Sequence, residues 1–221
     1  MSLPQGRIRF TPEEYLAFER ASKTKHEYID GFIYAMAGGS PPHNRICFNT
    51  IGELYTQLKE SECFGFTSDQ KIRTDPQDLF SYPDITIVCG EPIFHDQHKD
   101  VILNPKVIIE VLSPSTEERD RVDKFERYQQ IKSLTDYILI AQDRASVEHF
   151  VRQRGKRQWL YSLETGLAAG VNIASLKCKL KLADIYNRIQ FPPRKPALVP
   201  VPDEVVKEQL TTTKLKRRKK R

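Results

Sequence analysis

The stretch that most constrains this chain is Val107–Leu112, which reads Val-Ile-Ile-Glu-Val-Leu. A short continuous apolar run of this kind is typical of a strand buried on both faces. Glu110 stands in the middle of it, and an isolated carboxylate in a dry interior is very costly. We therefore expect a cationic partner to lie against Glu110.

A second carboxylate, Asp84, comes immediately before another apolar run, residues 85–88. If the two runs form a hairpin of central strands and both acids point to the same face, Asp84 and Glu110 lie side by side. Paired carboxylates repel each other, and Mg²⁺, which prefers oxygen ligands, relieves the repulsion. The pair predicts a magnesium site, where a water can be activated and charge on a phosphate oxygen neutralised.

A charged helical pattern follows the second strand and carries Lys124. Ser115 and Glu118 fit a capping box at its start, and the pattern continues to about Lys132. Lys124 and Tyr128 stand one helical turn apart, at the border of the buried face. The ammonium of Lys124 is therefore the candidate to steady a nucleophile beside the two acids.

The remaining elements follow from local patterns. Thr11-Pro12-Glu13-Glu14 is a capping box that starts a short helix, and Asp30-Gly31 is the turn of a hairpin that Glu27 opens. A helix is predicted over 43–59 and one strand over 64–73. An antiparallel meander is predicted at 136–141, 146–151 and 157–162, with a final helical turn at 183–186.

Composition divides the chain into three parts. Residues 1–190 suit one domain, 191–213 form a proline-rich linker and flexible segment, and 214–221 form a basic tail. The tail holds seven cations, so a net charge of +6 for the whole chain leaves −1 for the remainder. The tail is expected to add non-specific, salt-sensitive affinity for nucleic acid. Its candidate contact residues are Lys216, Arg217, Arg218, Lys219, Lys220 and Arg221.

The lengths of the apolar runs and the spacing of the cysteines indicate the cellular compartment. No apolar run approaches the roughly 18 residues that a membrane helix needs, and the first ten residues lack a signal-peptide core, which predicts a cytoplasmic protein. The four cysteines form no Cys-x-x-Cys pair. They are interpreted as reduced packing residues: Cys47, Cys63, Cys89 and Cys178.

Several of these motifs together resemble a known family. They are Tyr28-Ile29-Asp30-Gly31, Tyr82-Pro83-Asp84, Glu110-Val111-Leu112-Ser113-Pro114-Ser115 and Lys124-x-x-x-Tyr128. In this order they look like the bacterial "putative restriction endonuclease" family of the PD-(D/E)XK superfamily, over about residues 10–190. The resemblance implies an α/β (α+β) restriction-endonuclease-like core, a mixed central sheet flanked by helices, with an N-terminal helix and hairpin.

The resemblance also implies a function. The implied function is that of a DNA endonuclease, which hydrolyses phosphodiester bonds with Mg²⁺ or Mn²⁺ held by Asp84 and Glu110. The implied default state is a homodimer. The general superfamily pattern places its lysine two residues after the acid, where this chain has Leu112. The family resembled here supplies it from the next helix, and Lys124 is the matching position. Glu27 and His43 are the candidates for an accessory polar group.

Other interpretations stay open at this point. Glu110 could form a structural ion pair with Lys106 or Arg121, and Lys106 is also the rival for the catalytic ammonium. Glu27 could pair only across its hairpin, with Lys25 or an arginine, and His43 could cap or line the start of its helix instead of binding metal. At the level of function, the alternatives are a catalytically inactive nuclease-fold protein that binds DNA or regulates, and an interaction protein whose tail alone touches nucleic acid.

Overall fold

The computed structural model describes residues 8–74, 79–113, 116–155, 158–193, 204 and 207. The helices are α1 (Pro12–Ala21), α2 (Pro41–Leu58), α3 (Glu117–Arg119), a π-helical turn (Asp120–Lys124), α4 (Phe125–Tyr128) and α5 (Leu182–Ile185). The strands are β1 (His26–Ile29), β2 (Phe32–Ala35), β3 (Cys63–Thr67), β4 (Lys71–Thr74), β5 (Leu79–Ser81), β6 (Ile85–Cys89), β7 (Val101–Ile102), β8 (Val107–Leu112), β9 (Asp136–Ala141), β10 (Ser146–Arg152), β11 (Trp159–Thr165), β12 (Gly170–Ile173) and β13 (Cys178–Lys181).

A six-stranded sheet in the order β11-β10-β9-β8-β6-β3 forms the centre of the protein. Strand β8 pairs antiparallel with β6 and parallel with β9, and all six of its residues are buried. Strands β9, β10 and β11 form the expected antiparallel meander. The predicted fold class, a mixed central sheet flanked by helices, is confirmed.

A second sheet has five strands, in the order β2-β1-β5-β4-β7. It contains the predicted N-terminal hairpin, whose turn residues Asp30 and Gly31 both have positive φ angles, 51° and 89°. Helix α1 begins with the predicted capping box, since the side chains of Thr11 and Glu14 each accept from the main-chain N–H of the other. Local sequence chemistry is sufficient to set both features.

The single strand predicted over 64–73 is wrong. A turn closed by the N–H of Gln70 donating to the carbonyl of Thr67 divides this stretch into β3 and β4, which belong to different sheets. Strand β5, whose start lies after the undescribed residues 75–78, was not predicted either. It is the strand that joins β1 to β4. The small hairpin of β12 and β13 was also missed.

Helix α2 packs against the central sheet through Ile46, Thr50, Leu54 and Leu58, which are all buried. It begins two residues earlier than predicted, because Ser40 is the N-cap and Pro41 occupies the first turn. Cys47 is partly buried and packs beside this apolar face. The N-terminus of α2 thereby reaches Asp84, the residue that precedes β6.

The charged helix after β8 is interrupted by the π-helical turn and ends at Tyr128, four residues before the predicted limit. Thr116 is its N-cap and makes no side-chain capping bond. The predicted capping residue Ser115 lies outside the described residues. π-Helical turns are rare and often occur at functional sites. Here the turn includes both Asp120 and Lys124.

The prediction of four reduced cysteines is wrong for two of them. Cys63 and Cys89 are joined by a disulfide. They lie directly opposite each other where β3 pairs with β6, a proximity that their separation of 26 residues does not reveal. Cys47 and Cys178 are free thiols.

The chain divides into two compact units, Met1–Phe191 and Pro192–Arg221. Most of the second unit, with most of the predicted linker and all of the basic tail, lies outside the described residues. No helix in the described ranges is long and apolar enough to cross a membrane.

Candidate active site

Asp84 lies just before β6 and contacts strand β8 and helix α2. Its Oδ2 accepts the main-chain N–H of Val111 at 2.7 Å and lies 3.1 Å from Nε2 of His43. The main-chain N–H of Asp84 in turn donates to Oε2 of Glu110 at 3.3 Å. Two reciprocal hydrogen bonds, each from a main-chain N–H to a carboxylate, therefore hold Asp84 next to Glu110 and β8.

Glu110 is buried in the centre of β8, and its cationic partner is Lys124. The Lys124 ammonium lies 3.0 Å from Oε1 of Glu110, and the Tyr128 hydroxyl donates to the same oxygen at 3.2 Å. Arg121, proposed as a structural partner, instead binds Glu117 and Glu148. Among the described residues, Lys124 supplies the ammonium within ion-pair distance of Glu110, and Lys106 does not.

Lys124 is held by three carboxylates at once. Besides Glu110, its ammonium lies 3.3 Å from Oε1 of Glu27 and 3.1 Å from Oδ1 of Asp120. The side chains of all four residues are at most 6% exposed. Three buried acids around one ammonium leave excess negative charge, which Arg119 offsets by binding the other oxygen of Glu27.

Glu27 reaches this cluster from β1, a strand of the other sheet. Its partners are Lys124 and Arg119, whereas Lys25 pairs with Asp69. The alternative in which Glu27 pairs only across its hairpin, with Lys25 or an arginine, is therefore wrong, because both of its cationic partners come from the helical segment after β8. The accessory position proposed for Glu27 lies within the cluster.

His43 stands in the first turn of α2, but it does not cap the helix. Ser40 is the cap, and the main-chain N–H of His43 donates to its hydroxyl oxygen at 3.3 Å. The imidazole is directed between Asp84 and Cys47, with Nδ1 lying 3.7 Å from Sγ of Cys47. His43 therefore contacts one acid of the central pair.

The surroundings shift the protonation of three of these groups. Burial raises the pKa of Glu110, and the charge of Lys124 opposes this rise. Burial disfavours the ammonium of Lys124, but Glu110 and Glu27 outweigh it and raise its pKa well above the usual value. Burial likewise disfavours the imidazolium of His43, and the hydrogen bonds with Asp84 and Cys47 raise its pKa to about 11.

Three residues that contact the predicted site residues were not themselves predicted: Asp120, Arg119 and Cys47. Asp120 and Lys124 are four positions apart in a helical pattern, which is the one sequence signal that could have linked them. The contact of Arg119 with Glu27 spans 92 residues and leaves no local signal. The six candidate nucleic-acid residues of the tail, 216–221, lie outside the described residues.

The arrangement can be compared with known proteins. The family model described as "Uma2: Putative restriction endonuclease" matches residues 12–180. The chain belongs to this family. The matched Uma2 region contains all of the cluster, from Glu27 to Lys124.

Two relatives come from Synechocystis sp. (strain ATCC 27184 / PCC 6803 / Kazusa). Uncharacterized protein sll1609 is 35% identical over 167 residues, or 76% of this chain and 94% of its own length. Uncharacterized protein slr1290 is 35% identical over 183 residues, or 83% of this chain and 94% of its own length. Their names add no activity to the family assignment.

A solved structure shares the fold. It is the crystal structure of a putative nuclease belonging to DUF820 from Anabaena variabilis ATCC 29413, with a TM-score of 0.68 and 18% sequence identity. The match covers 82% of this chain and 99% of that chain. At this identity, the comparison establishes the Uma2 chain's nuclease-like fold.

Proposed function

We propose that this Uma2 protein is a DNA endonuclease that hydrolyses phosphodiester bonds with a divalent metal, Mg²⁺ or Mn²⁺, held by Asp84 and Glu110. The observation that carries the proposal is the direct link between these acids: the N–H of Asp84 donates to Glu110 at 3.3 Å, with the Lys124 ammonium 3.0 Å from Glu110 on its other oxygen. Two acids and a lysine in this arrangement suit hydrolysis of a phosphodiester.

The donor atoms fit a hard cation. Asp84 and Glu110 offer carboxylate oxygens, which Mg²⁺ and Mn²⁺ prefer. Two further buried acceptors lie within ion-pair distance of Lys124 but accept no hydrogen bond from the described residues: Oε1 of Glu27 and Oδ1 of Asp120. Asp84 and Glu110 would hold the metal, which when bound supplies activation of a water and neutralisation of charge on the scissile phosphate.

The protein side chains have separate tasks in this scheme. Lys124 places a fixed ammonium beside Glu110, where it can stabilise negative charge that develops on the phosphate. Tyr128 holds Glu110 through its hydroxyl, and that hydroxyl lies 2.9 Å from the hydroxyl of Ser81. The N–H of Val111 fixes the carboxylate of Asp84. Each charged group thus has an orienting partner that limits its movement during the reaction.

One observation favours a second candidate function. Because Lys124 lies within 3.3 Å of three carboxylates, those acids have a cationic partner without any metal. A nuclease-fold protein that binds DNA or regulates without cutting it would keep such a cluster for stability alone.

A plasmid-nicking assay separates the two candidates. The tag-free protein is incubated with supercoiled DNA and Mg²⁺ or Mn²⁺, and in parallel with chelator. We expect metal-dependent nicking by the wild type, its loss in Asp84→Asn and in Glu110→Gln, and its retention in Asp69→Asn, a control acid whose side chain is 86% exposed. DNA binding without metal-dependent nicking by the folded wild type would overturn the endonuclease proposal and favour the second candidate.

We also propose that the active form is a homodimer, because two such sites on one duplex would each be placed to cut one strand. Light scattering of the protein, alone and with a short duplex, measures this directly. A monomer in both samples that makes double-strand breaks would contradict it.

A further inference from the structure

His43 and Cys47 lie one turn apart on α2, and both side chains face Asp84. A pair of metal-binding side chains at positions i and i+4 of one helix can hold a single zinc ion. The ligand atoms of His43, Cys47 and Asp84 all lie within 4.8 Å of one another. This is the one such group of three found among the described residues.

Two contacts within the group, one to each nitrogen of the His43 ring, have lengths close to the ligand separations around a tetrahedral zinc ion. Bond lengths of about 2.3 Å to sulfur and 2.0 Å to nitrogen or oxygen separate sulfur from nitrogen by roughly 3.5 Å and oxygen from nitrogen by roughly 3.3 Å. The Sγ of Cys47 lies 3.7 Å from Nδ1 of His43, and Oδ2 of Asp84 lies 3.1 Å from Nε2 of His43. Because these contacts use different ring nitrogens, a single ion requires a rotation of the imidazole or of the carboxylate.

The edge of the imidazole that carries Nδ1 packs closely against Gly39. A Cβ atom at that position would lie 2.6 Å from Nδ1. A residue with a Cβ at position 39 would therefore require the ring to shift. The side chains of His43 and Asp84 are 14% and 16% exposed, so the group borders solvent and can be reached by an ion.

The donor set differs from that of the neighbouring acid pair. A thiolate, an imidazole and a carboxylate suit Zn²⁺, whereas the oxygens of Asp84 and Glu110 suit Mg²⁺. We propose that His43, Cys47 and Asp84 form a site for a thiophilic divalent cation, with Zn²⁺ as the expected ion, and that zinc bound there occupies the carboxylate that Asp84 would otherwise offer to Mg²⁺. On binding, the Cys47 thiol and the His43 imidazolium each release a proton to solvent, and water takes the fourth position.

The consequence for activity rests on the proposed endonuclease function, but the zinc site itself does not. One carboxylate group, that of Asp84, belongs to both donor sets. Zinc at low concentration should therefore inhibit Mg²⁺-dependent nicking even when Mg²⁺ is in large excess. The reason is that the Cys47 thiolate raises the affinity of the site for Zn²⁺ and not for Mg²⁺.

The test for the site uses Co²⁺ as a spectroscopic substitute for Zn²⁺, with tag-free, metal-free protein. We expect one Co²⁺ per chain, a cobalt–thiolate absorption band, and displacement of the band by one equivalent of Zn²⁺. Cys47→Ser should lose the band, and both Cys47→Ser and His43→Gln should weaken zinc binding at least tenfold. The matched control is Cys178→Ser, which removes the other free thiol and should keep the band. Wild-type protein without the band, or a band that survives in Cys47→Ser, would overturn the proposal.

A second measurement addresses inhibition. Nicking is assayed with Mg²⁺ over a series of Zn²⁺ concentrations, and each variant is compared with its own zinc-free rate. We expect the zinc concentration for half inhibition to rise at least tenfold in Cys47→Ser and to stay unchanged in Cys178→Ser. A cobalt–thiolate band in a protein that cuts no DNA would support the zinc site and contradict the endonuclease proposal. Nicking that zinc inhibits equally in both cysteine variants would overturn the proposed competition between Zn²⁺ and Mg²⁺ for the Asp84 carboxylate.

Discussion

The ammonium of Lys124 lies 3.0 Å from Oε1 of Glu110, although the two residues are 14 positions apart and belong to different elements. Glu27 and Asp120 complete the ammonium's surroundings. Lys124 is therefore both a structural counter-ion and the candidate catalytic cation, and experiments on it have to separate the two roles.

Replacing Lys124 by alanine should reduce both activity and stability. The loss of the ammonium is expected to lower the single-turnover nicking rate by about 10²-fold or more, with DNA affinity little changed, because it stabilises developing charge and not the bound ground state. Buried Glu110 and Asp120 lose their cation and Glu27 keeps only Arg119, so the free energy of unfolding should fall by about 3–5 kcal/mol. Nicking rate, DNA affinity and urea unfolding are measured on the same preparation.

Lys106→Ala is the matched control for that experiment. Lys106 precedes β8, and its side chain was the rival candidate for the catalytic ammonium. It should keep its nicking rate. If Lys106→Ala is inactive and Lys124→Ala is fully active, the catalytic lysine has been assigned to the wrong element.

Removing the carboxylate of Asp84 should destabilise the protein even without metal. From the sequence, relief of repulsion from Glu110 predicts that Asp84→Ala leaves stability unchanged or slightly higher. The structure reverses this expectation, because the variant loses the acceptor for the N–H of Val111 and the partner of His43. We expect a fall of about 1–3 kcal/mol in the free energy of unfolding. Urea unfolding in chelator measures it, and unchanged stability would show that both donors find other partners.

The His43–Asp84 contact should make stability depend on pH. The pKa of His43 is about 11 in the folded protein and about 6.5 in an unfolded chain, so the folded state binds more protons between these values. Its stabilising contribution is complete below about pH 6.5 and declines as pH rises toward 11. NMR titration should show a charged His43 imidazole at pH 8 in the wild type and a lower pKa in Asp84→Asn. A His43 that titrates near 6.5 in both proteins would contradict the ion pair.

Gly39→Ala should disturb the contact between His43 and Asp84 by displacing the imidazole. The added Cβ would lie 2.6 Å from Nδ1 of His43 and 2.8 Å from Oδ1 of Asn44, closer than real Cβ contacts allow. The ring must move, so we expect the pKa of His43 to fall and nicking to weaken. Gly38→Ala is the control, because its Cβ would meet no atom within 4 Å. If both substitutions change the His43 titration equally, the cause is the loss of glycine's backbone freedom and not the clash with the ring.

Truncation after Pro202 tests the basic tail. It removes the seven cations of residues 214–221. DNA binding should weaken, and the slope of log affinity against log salt should become shallower by up to about six, since each neutralised phosphate contributes roughly 0.9. Nicking at saturating DNA should persist. A truncated protein with the wild-type affinity and slope would exclude the tail from the DNA interface.

Local signals in the sequence were sufficient for several features of the fold. The capping box at Thr11, the Asp30-Gly31 turn and the apolar run of β8 are each determined by neighbouring residues, and each is found as predicted. Asp84, Glu110 and Lys124 could be chosen because a carboxylate in an apolar strand requires a partner and because the motif order resembles a family. Their proximity was an expectation that required the pairing of β6 with β8.

Other features depended on packing between distant parts of the chain. The position of Glu27 beside Lys124 requires the second sheet, and the disulfide requires β3 to lie against β6. The break between β3 and β4 arises because the two strands pair with different sheets. Local propensity cannot encode these contacts, because burial and strand pairing join residues far apart in the chain. The sequence by itself determined which groups need partners, and the tertiary structure decided which partners they have.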